Sequence, residues 1–401
     1  MSDSDPVITG MGCLCAAGGD LASAWREMTA GNTRPSGPDM LHAAIKRLSP
    51  VFTAPDLAGS ENKIADLAGA GMEKTRCVLF FLTAMAEALA QAGLDAAALR
   101  GRRIGVCVGT TVGCTLNDEH FYAEFRKGKQ PGLAAIDRFL ANNPAQYVSA
   151  ALDLCGPVST INNACTSGVD AIGQAGEWIR DGLCDMAIAG GSDELSRIPY
   201  LGFSSLLNTS EAPCRPFDLK RDGLNLGEGA GVLIMESRAA ARARGAKALV
   251  EVAGYGTCGD AYHPTAPHPQ GVGLEQAIRR ALERTPPGEI GFINAHGTAT
   301  PANDQVEGST FARIFGPQVT VFGSKGYTGH TLGAAGAIEA IFITQGLLSG
   351  EIPATAGFSE ADPGCVVVPT RSLTKVRAEY ALSTSLAFGG NNSALLLKLG
   401  K

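Results

Sequence analysis

The apolar positions of this chain fall into short runs that alternate between two periods. Runs of β-branched and small residues, closing on glycine or another small side chain, occupy 7–10, 104–109, 158–161, 186–191, 231–235, 292–295 and 319–323. Between them, apolar residues three and four apart predict helices over 78–93 and 274–284, with a third leading from Cys165 to about Arg180. The strand runs are apolar almost without interruption, as strands covered on both faces must be. Their alternation with helices therefore predicts an α/β protein with a layered core. The helix after Cys165 carries Val169, Ile172, Gly176 and Ile179 on one face, interspersed with Ala171, Gly173 and Ala175. Helix propensity alone would penalise so many small residues, so another element must pack closely against them.

The pattern is weakly doubled. Before about residue 245, a strand leads through Asn162-Asn163-Ala164-Cys165-Thr166-Ser167-Gly168 into that small-residue helix. Later, the run 319–323 leads through Lys325-Gly326-Tyr327-Thr328-Gly329-His330 into a second one, Gly333 to Ile341. Each helix carries a reactive group at its entrance. The reading is two α/β halves, 1–245 and 246–401, with a surface helix closed by Gly245 at the seam.

The 401 residues are 45% apolar and 18% charged, enough to build a large soluble core. A net charge of −6 and a pI of about 5.6 give no general attraction to nucleic acid or anionic membrane. The run 77–86 ends at Glu87, well short of the roughly 20 residues of a membrane span. Met1 is followed by Ser-Asp-Ser-Asp rather than a basic stretch and an apolar core, so no secretory signal is read. The eleven cysteines include no Cys-x-x-Cys pair and lie mostly in apolar or glycine-rich segments, which fits reduced thiols in a cytoplasmic protein.

Cys165 stands apart from the other thiols. It occupies a strand-to-helix turn, where the positive end of the helix dipole favours a thiolate. Two later glycine- and threonine-rich segments supply His296 and His330. One cysteine with two distant histidines points to covalent acyl chemistry. A zinc site built from the same three residues lacks a fourth ligand and short ligand spacing, so no metal is expected. His263 and His268, in a proline-rich loop, read as local structure, and His42 and His120 have no constellation around them.

Several ordered motifs then resemble the β-ketoacyl–acyl-carrier-protein synthases, decarboxylating condensing enzymes of the thiolase fold. They are Arg215-Pro216-Phe217-Asp218, Arg221-Asp222-Gly223, Gly227-Glu228-Gly229-Ala230-Gly231, the segment from Asp260 to Pro267, His296-Gly297-Thr298-Ala299-Thr300-Pro301-Ala302-Asn303-Asp304, and Gly329-His330-Thr331-Leu332-Gly333-Ala334-Ala335-Gly336. The resemblance runs from Val7 to Asn392 and is closest to the elongating branch, because initiating enzymes typically pair one histidine with an asparagine. It implies a layered α-β-α-β-α core of two duplicated halves. It implies that Cys165 takes an acyl group from a carrier-protein thioester, while His296 and His330 hydrogen-bond the malonyl thioester oxygen as enolate charge develops. Lys325 and Glu339 would support the histidines, and the N–H groups of Cys165 and Phe388 would form the oxyanion hole. Thr298 and Thr300 would bind the phosphopantetheine arm, and Val112, Phe203 and Phe388 would line or gate the acyl tunnel.

The same resemblance implies no permanently bound cofactor, substrates carried on the phosphopantetheine of an acyl carrier protein, and a homodimer or a heterodimer with a related subunit. The alternative is the ketosynthase-α subunit of a type II polyketide or polyene synthase. A non-catalytic chain-length subunit is disfavoured by the intact Cys165. A degradative thiolase is disfavoured because Cys365, in Pro363-Gly364-Cys365, does not match its second cysteine. Lys74 and Arg76, with the cluster Arg126, Lys127 and Lys129, are the expected landing sites for an acidic carrier. The chain departs from the family pattern at Asn162-Asn163, Leu206-Leu207, Ala299, Gly326-Tyr327, Leu386 and Ala387. Catalytic types are kept while pocket and docking positions differ, which implies a specialised substrate and a stiffer hinge at Phe388.

Overall fold

The computed structural model describes every residue except 1, 42–47, 58, 60, 70, 114–117, 142, 284 and 401. Twelve strands run in chain order: β1 (Pro6–Cys15), β2 (Ile104–Gly109), β3 (Val158–Ile161), β4 (Met186–Asp193), β5 (Gly229–Ser237), β6 (Val250–Gly259), β7 (Ile290–Ala295), β8 (Val321–Gly323), β9 (Glu351–Ile352), β10 (Thr374–Lys375), β11 (Tyr380–Leu386) and β12 (Asn391–Leu399). β9 and β10 form a small ribbon of their own.

The other ten join in the order β3-β2-β4-β5-β1-β6-β12-β11-β7-β8. In the first five, β3, β2 and β4 are parallel, β5 runs opposite to them, and β1, antiparallel to β5, returns to their direction. In the last five, β8, β7 and β11 are parallel, β12 runs opposite to them, and β6, antiparallel to β12, returns to their direction. Leaving out the ribbon and counting from β6, the second block repeats the order third-second-fourth-fifth-first of the first block. The blocks meet only where Val7 and Ile8 of β1 pair with Glu251 and Val250 of β6. This shared topology is the physical form of the weak doubling in the sequence.

Five layers result. The helix Arg76–Ala92 covers the outer face of the first sheet along β1 and β5, and Val272–Leu282 covers the outer face of the second along β6 and β12. Between the sheets lie Ser167–Arg180, packed on β2 and β4, and Ala335–Ser349, packed on β5 and β11 and against the other helix. Ala335–Ser349 is apolar nearly all round, and only a middle layer can cover such a helix. With the turn before it, Leu332–Ser349 is long and apolar enough to cross a bilayer, but it is core here.

The helices begin and end where the sequence punctuates them. Thr75 Oγ1 accepts from the Val78 N–H, and Gly93 closes the outer helix in the left-handed conformation. The strand expected at 7–10 continues to Cys15, because its later residues pair with Gly229–Leu233 of β5. The helix expected over 274–284 spans Val272–Leu282, and Arg284 lies outside the described residues, as does His42. The expected helix from Gly333 to Ile341 is a short turn at Leu332–Ala334 followed by Ala335–Ser349. Every described cysteine is a free thiol.

Candidate active site

Parallel strands of such a fold open at their carboxyl ends, and the chemistry gathers there. β3 delivers Cys165, β7 delivers His296, and β8 leads through Lys325 to His330. The Cys165 sulfur and one ring nitrogen from each imidazole lie within 4.8 Å of one another, all buried. The two rings are 5.2 Å apart, edge to face. A cavity of about 330 Å³ is lined by these three residues and by Phe203, Thr298, Thr300 and Phe388.

The turn carrying Cys165 is held from behind. Ala164 has φ 51°, a conformation unfavourable for a residue with a Cβ, so the turn depends on its neighbours. Asp170, one turn into the helix, accepts from Asn163 Nδ2 and Thr166 Oγ1, both at 2.9 Å, and from Tyr255 OH at 2.8 Å. A Cβ on Gly109 would lie 2.3 Å from the Ser167 backbone, so β2 reaches the nucleophile turn only because that residue is glycine.

The expectation of an ionised sulfur fails in the resting protein. Burial pushes the Cys165 thiol up to about 12, although the Lys325 charge and the Phe388 N–H both act in the opposite direction. Desolvation of a buried thiolate outweighs the helix end and one lysine. Cys165 is a thiol until a base takes its proton.

The histidines are kept neutral. Burial, then the Lys325 charge, pushes both well below the usual imidazole range, and His330 depresses His296 further. Lys325 Nζ sits 3.2 Å from Nδ1 of His296 and 2.5 Å from its carbonyl oxygen. The Leu332 N–H donates to Nδ1 of His330 at 3.1 Å. A nitrogen facing a donor must offer a lone pair, so each ring carries its proton on Nε2. Lys325 also pairs with Glu339 at 2.5 Å in full burial.

Residues to which the sequence reading gave no role hold this arrangement. Glu307 accepts the backbone N–H groups of His296 and Gly297, both at 2.7 Å, together with Asn303 Nδ2 and Thr384 Oγ1; burial lifts its carboxyl to about 7. Asp304 accepts from the N–H groups of Phe217 and Ala299, and Arg221 braces it from Asp362. Asp193, at the end of β4, accepts from the Gly333 N–H at 2.7 Å. The available signal was a carboxylate at the end of an apolar strand, or four residues after Asn303 on one helix face.

Thr298 and Thr300 line the cavity with their hydroxyls 2.9 Å apart. Val112 does not line it; like Phe388, it packs against the apolar cluster that contains Phe203. The Phe203 and Phe388 rings are 5.1 Å apart. The Phe388 turn is tied down, with the Gly389 N–H donating to Pro264 O at 2.7 Å and the Ala387 N–H to Asn391 O at 2.8 Å. The Gly326-Tyr327 departure follows from packing: a Cβ at Gly326 would lie 2.5 Å from Ala356 O, and Tyr327 OH donates to Ala354 O.

The docking expectation needs correction. Arg76 is not a free surface cation; it is a ligand of the buried Glu228, with Nε 3.0 Å from Oε2. Lys127 and Lys129 both pair with Glu124, which halves the charge they offer. Lys74, in the segment before the helix Arg76–Ala92, and Arg126, at the end of the helix Glu119–Arg126, are exposed. The Asn294 side chain, the second Glu339 oxygen and the Ser383 and Ser385 hydroxyls have no partner among the described residues. Buried oxygen groups of this kind suit water or a hard cation, whereas the Lys325 ammonium opposes one at Cys165.

A doubled five-layer α/β fold, with a cysteine and two histidines meeting at the strand ends, defines a thiolase-like condensing enzyme. Residues 4–241 match the beta-ketoacyl synthase N-terminal domain and residues 249–359 its C-terminal domain, and the chain belongs to that family. It is 35% identical to the tetracenomycin polyketide synthase ketoacyl synthase alpha subunit of Streptomyces glaucescens, over 98% of this chain and 96% of that one. It is 34% identical to 3-oxoacyl-[acyl-carrier-protein] synthase 2 of Staphylococcus aureus, over 98% of this chain and all of that one. The ishigamide ketosynthase/chain length factor structure superposes with a TM-score of 0.86 at 31% identity, covering 99% of both chains.

Proposed function

We propose that the chain lengthens carrier-bound acyl groups by decarboxylative Claisen condensation. Cys165 attacks the acyl thioester, its sulfur–carbon bond forming as the bond to the phosphopantetheine sulfur breaks, and the thiol proton passes to that departing sulfur. The N–H groups of Cys165 and Phe388 hold the tetrahedral oxygen. A malonyl thioester then loses carbon dioxide, and the electron pair moves onto its thioester oxygen, facing the Nε2–H groups of His296 and His330. The enolate carbon bonds to the Cys165-bound carbonyl, the sulfur leaves, and one proton restores the thiol. The observation that carries this reading is the pair of buried, neutral Nε2–H donors beside one cysteine: they stabilise an enolate oxygen without removing a proton from carbon.

In this reading Thr298 and Thr300, on the cavity wall, bind the phosphopantetheine arm, and Phe203 and Phe388 receive the acyl chain. The ketosynthase-α reading stands beside fatty-acyl elongation, favoured by the polyketide subunit among the relatives. A related subunit as partner is supported by an apolar groove of about 900 Å³, lined by Phe121, Tyr122, Ile136, Ile198 and Leu201. Leu201 also packs in the Phe203 cluster, so a partner covering the groove would close the acyl pocket from outside.

The test is mass measurement of the protein after incubation with acyl carriers of graded chain length, with carbon dioxide release followed from malonyl carrier. Cys165→Ala is expected to give no acyl-enzyme, and Cys165→Gln to keep malonyl decarboxylation. Condensation at normal rate by the alanine variant would end the proposal.

A further inference from the structure

Asp193 has no place in the chemistry above, yet its carboxylate is fully buried and more heavily bonded than the substrate-facing groups require. Oδ1 accepts from Thr110 Oγ1 at 2.6 Å and from the N–H groups of Val112 and Gly113 at 3.1 and 3.2 Å. Oδ2 accepts from the N–H groups of Thr111 and Gly333 at 2.8 and 2.7 Å. Four of these donors belong to the loop after β2, which carries Val112. The fifth belongs to the second half of the chain, one residue after the Leu332 N–H that fixes the His330 tautomer.

Resting on the condensing-enzyme reading, we propose that Asp193 is a positioning residue that clamps the His330–Gly333 turn of one half onto the Thr110–Gly113 loop of the other, and so sets the aim of the His330 Nε2–H.

The turn needs such a clamp. Leu332 has φ 53°, which a branched residue adopts only when its surroundings impose it, and a Cβ on Gly333 would lie 2.7 Å from the Thr110 and Thr111 backbone. Release of the Gly333 N–H lets Leu332 relax and moves its own N–H away from His330 Nδ1. The ring can then take the other tautomer and present a lone pair to the enolate oxygen. Burial raises the Asp193 carboxyl to about 6 against the pull of its five donors, so the clamp remains largely ionised at neutral pH. An asparagine cannot replace it, because its NH2 would face a backbone N–H.

The clamp acts through His330, so its loss should split the two half-reactions. The experiment compares Cys165→Gln with Cys165→Gln/Asp193→Asn for malonyl decarboxylation, and wild type with Asp193→Asn for acyl-enzyme formation. Decarboxylation is expected to fall about ten- to hundredfold, while acylation falls no more than about threefold. Equal losses in both, tracking a drop in Tm, would reduce Asp193 to a structural role and overturn the inference, as would no loss in either. If Asp193→Asn does not fold, Thr110→Val removes one donor and keeps the shape, and the same unequal loss, smaller in size, is required. Absence of decarboxylation in Cys165→Gln itself would instead count against the condensing-enzyme reading.

Discussion

Lys325 Nζ lies 3.2 Å from Nδ1 of His296, and this cation adds to burial in keeping the ring neutral. Next to an ammonium, the imidazole stays neutral and turns its proton outward on Nε2. Glu339 makes the arrangement tolerable by balancing the buried charge.

Removing the lysine should therefore do two separable things. Lys325→Ala leaves the Glu339 carboxylate buried without its partner and is expected to cost about 3–5 kcal/mol of stability. It also removes the donor at Nδ1 that fixes the His296 tautomer, with malonyl decarboxylation falling about a hundredfold or more. The double variant Lys325→Met/Glu339→Gln should recover much of the stability and none of the decarboxylation. Recovery of both, in thermal melts and carbon dioxide release, would show that the lysine is only structural.

The protonated state of Cys165 can be read directly. With the thiol raised to about 12, the thiolate fraction grows about tenfold per pH unit from neutrality upward. Iodoacetamide labelling of Cys165, followed by peptide mass analysis, should rise with unit slope through pH 9 without levelling. A plateau near pH 7 would mean that the resting sulfur is ionised.

Arg76 separates structure from docking. Arg76→Glu places two carboxylates together at Glu228 and is expected to lower stability by about 3 kcal/mol or more. Lys74→Glu with Arg126→Glu should leave the melting temperature unchanged and raise KM for carrier-bound substrates more than for small thioesters. Equal KM effects on both substrate types would remove these cations from the docking surface.

Asp218 should mark the acid limit of the fold. Burial alone would raise its carboxyl, but the N–H groups of Glu360, Lys220 and Ser359 and the Ser359 hydroxyl outweigh it and hold it down at about 2. A carboxyl held below its unfolded value stabilises the fold above the ordinary carboxylate range, and the contribution is lost as pH falls through about 2. Asp218→Asn is expected to cost about 1–3 kcal/mol at pH 7, with the gap to wild type closing on acidification. A gap in denaturant midpoints that is constant with pH would show that the carboxylate charge contributes nothing.

Much of this protein was legible in the chain. The strand runs, the small-residue helices and the glycine and threonine motifs located Cys165, His296 and His330, because buried strands and reactive turns impose local composition. The doubled strand order confirms a repeat that side chains alone show only faintly. Local composition has no way to register what meets across the middle layer. Asp193 and Glu307 carry no mark in the sequence and Asp304 only its place in a motif until the fold sets backbone donors around them, and Arg76 looked like a surface cation until Glu228 lay beneath it.

The residue types and the turns that carry them are set by the sequence, since a turn needs its glycine and a nucleophile its sulfur wherever they lie. Protonation is set by the tertiary structure. A thiol becomes costly to ionise only when the layers exclude water, and two imidazoles stay neutral when the same burial brings Lys325 beside them, because desolvation and charge separation depend on distances that no linear pattern contains.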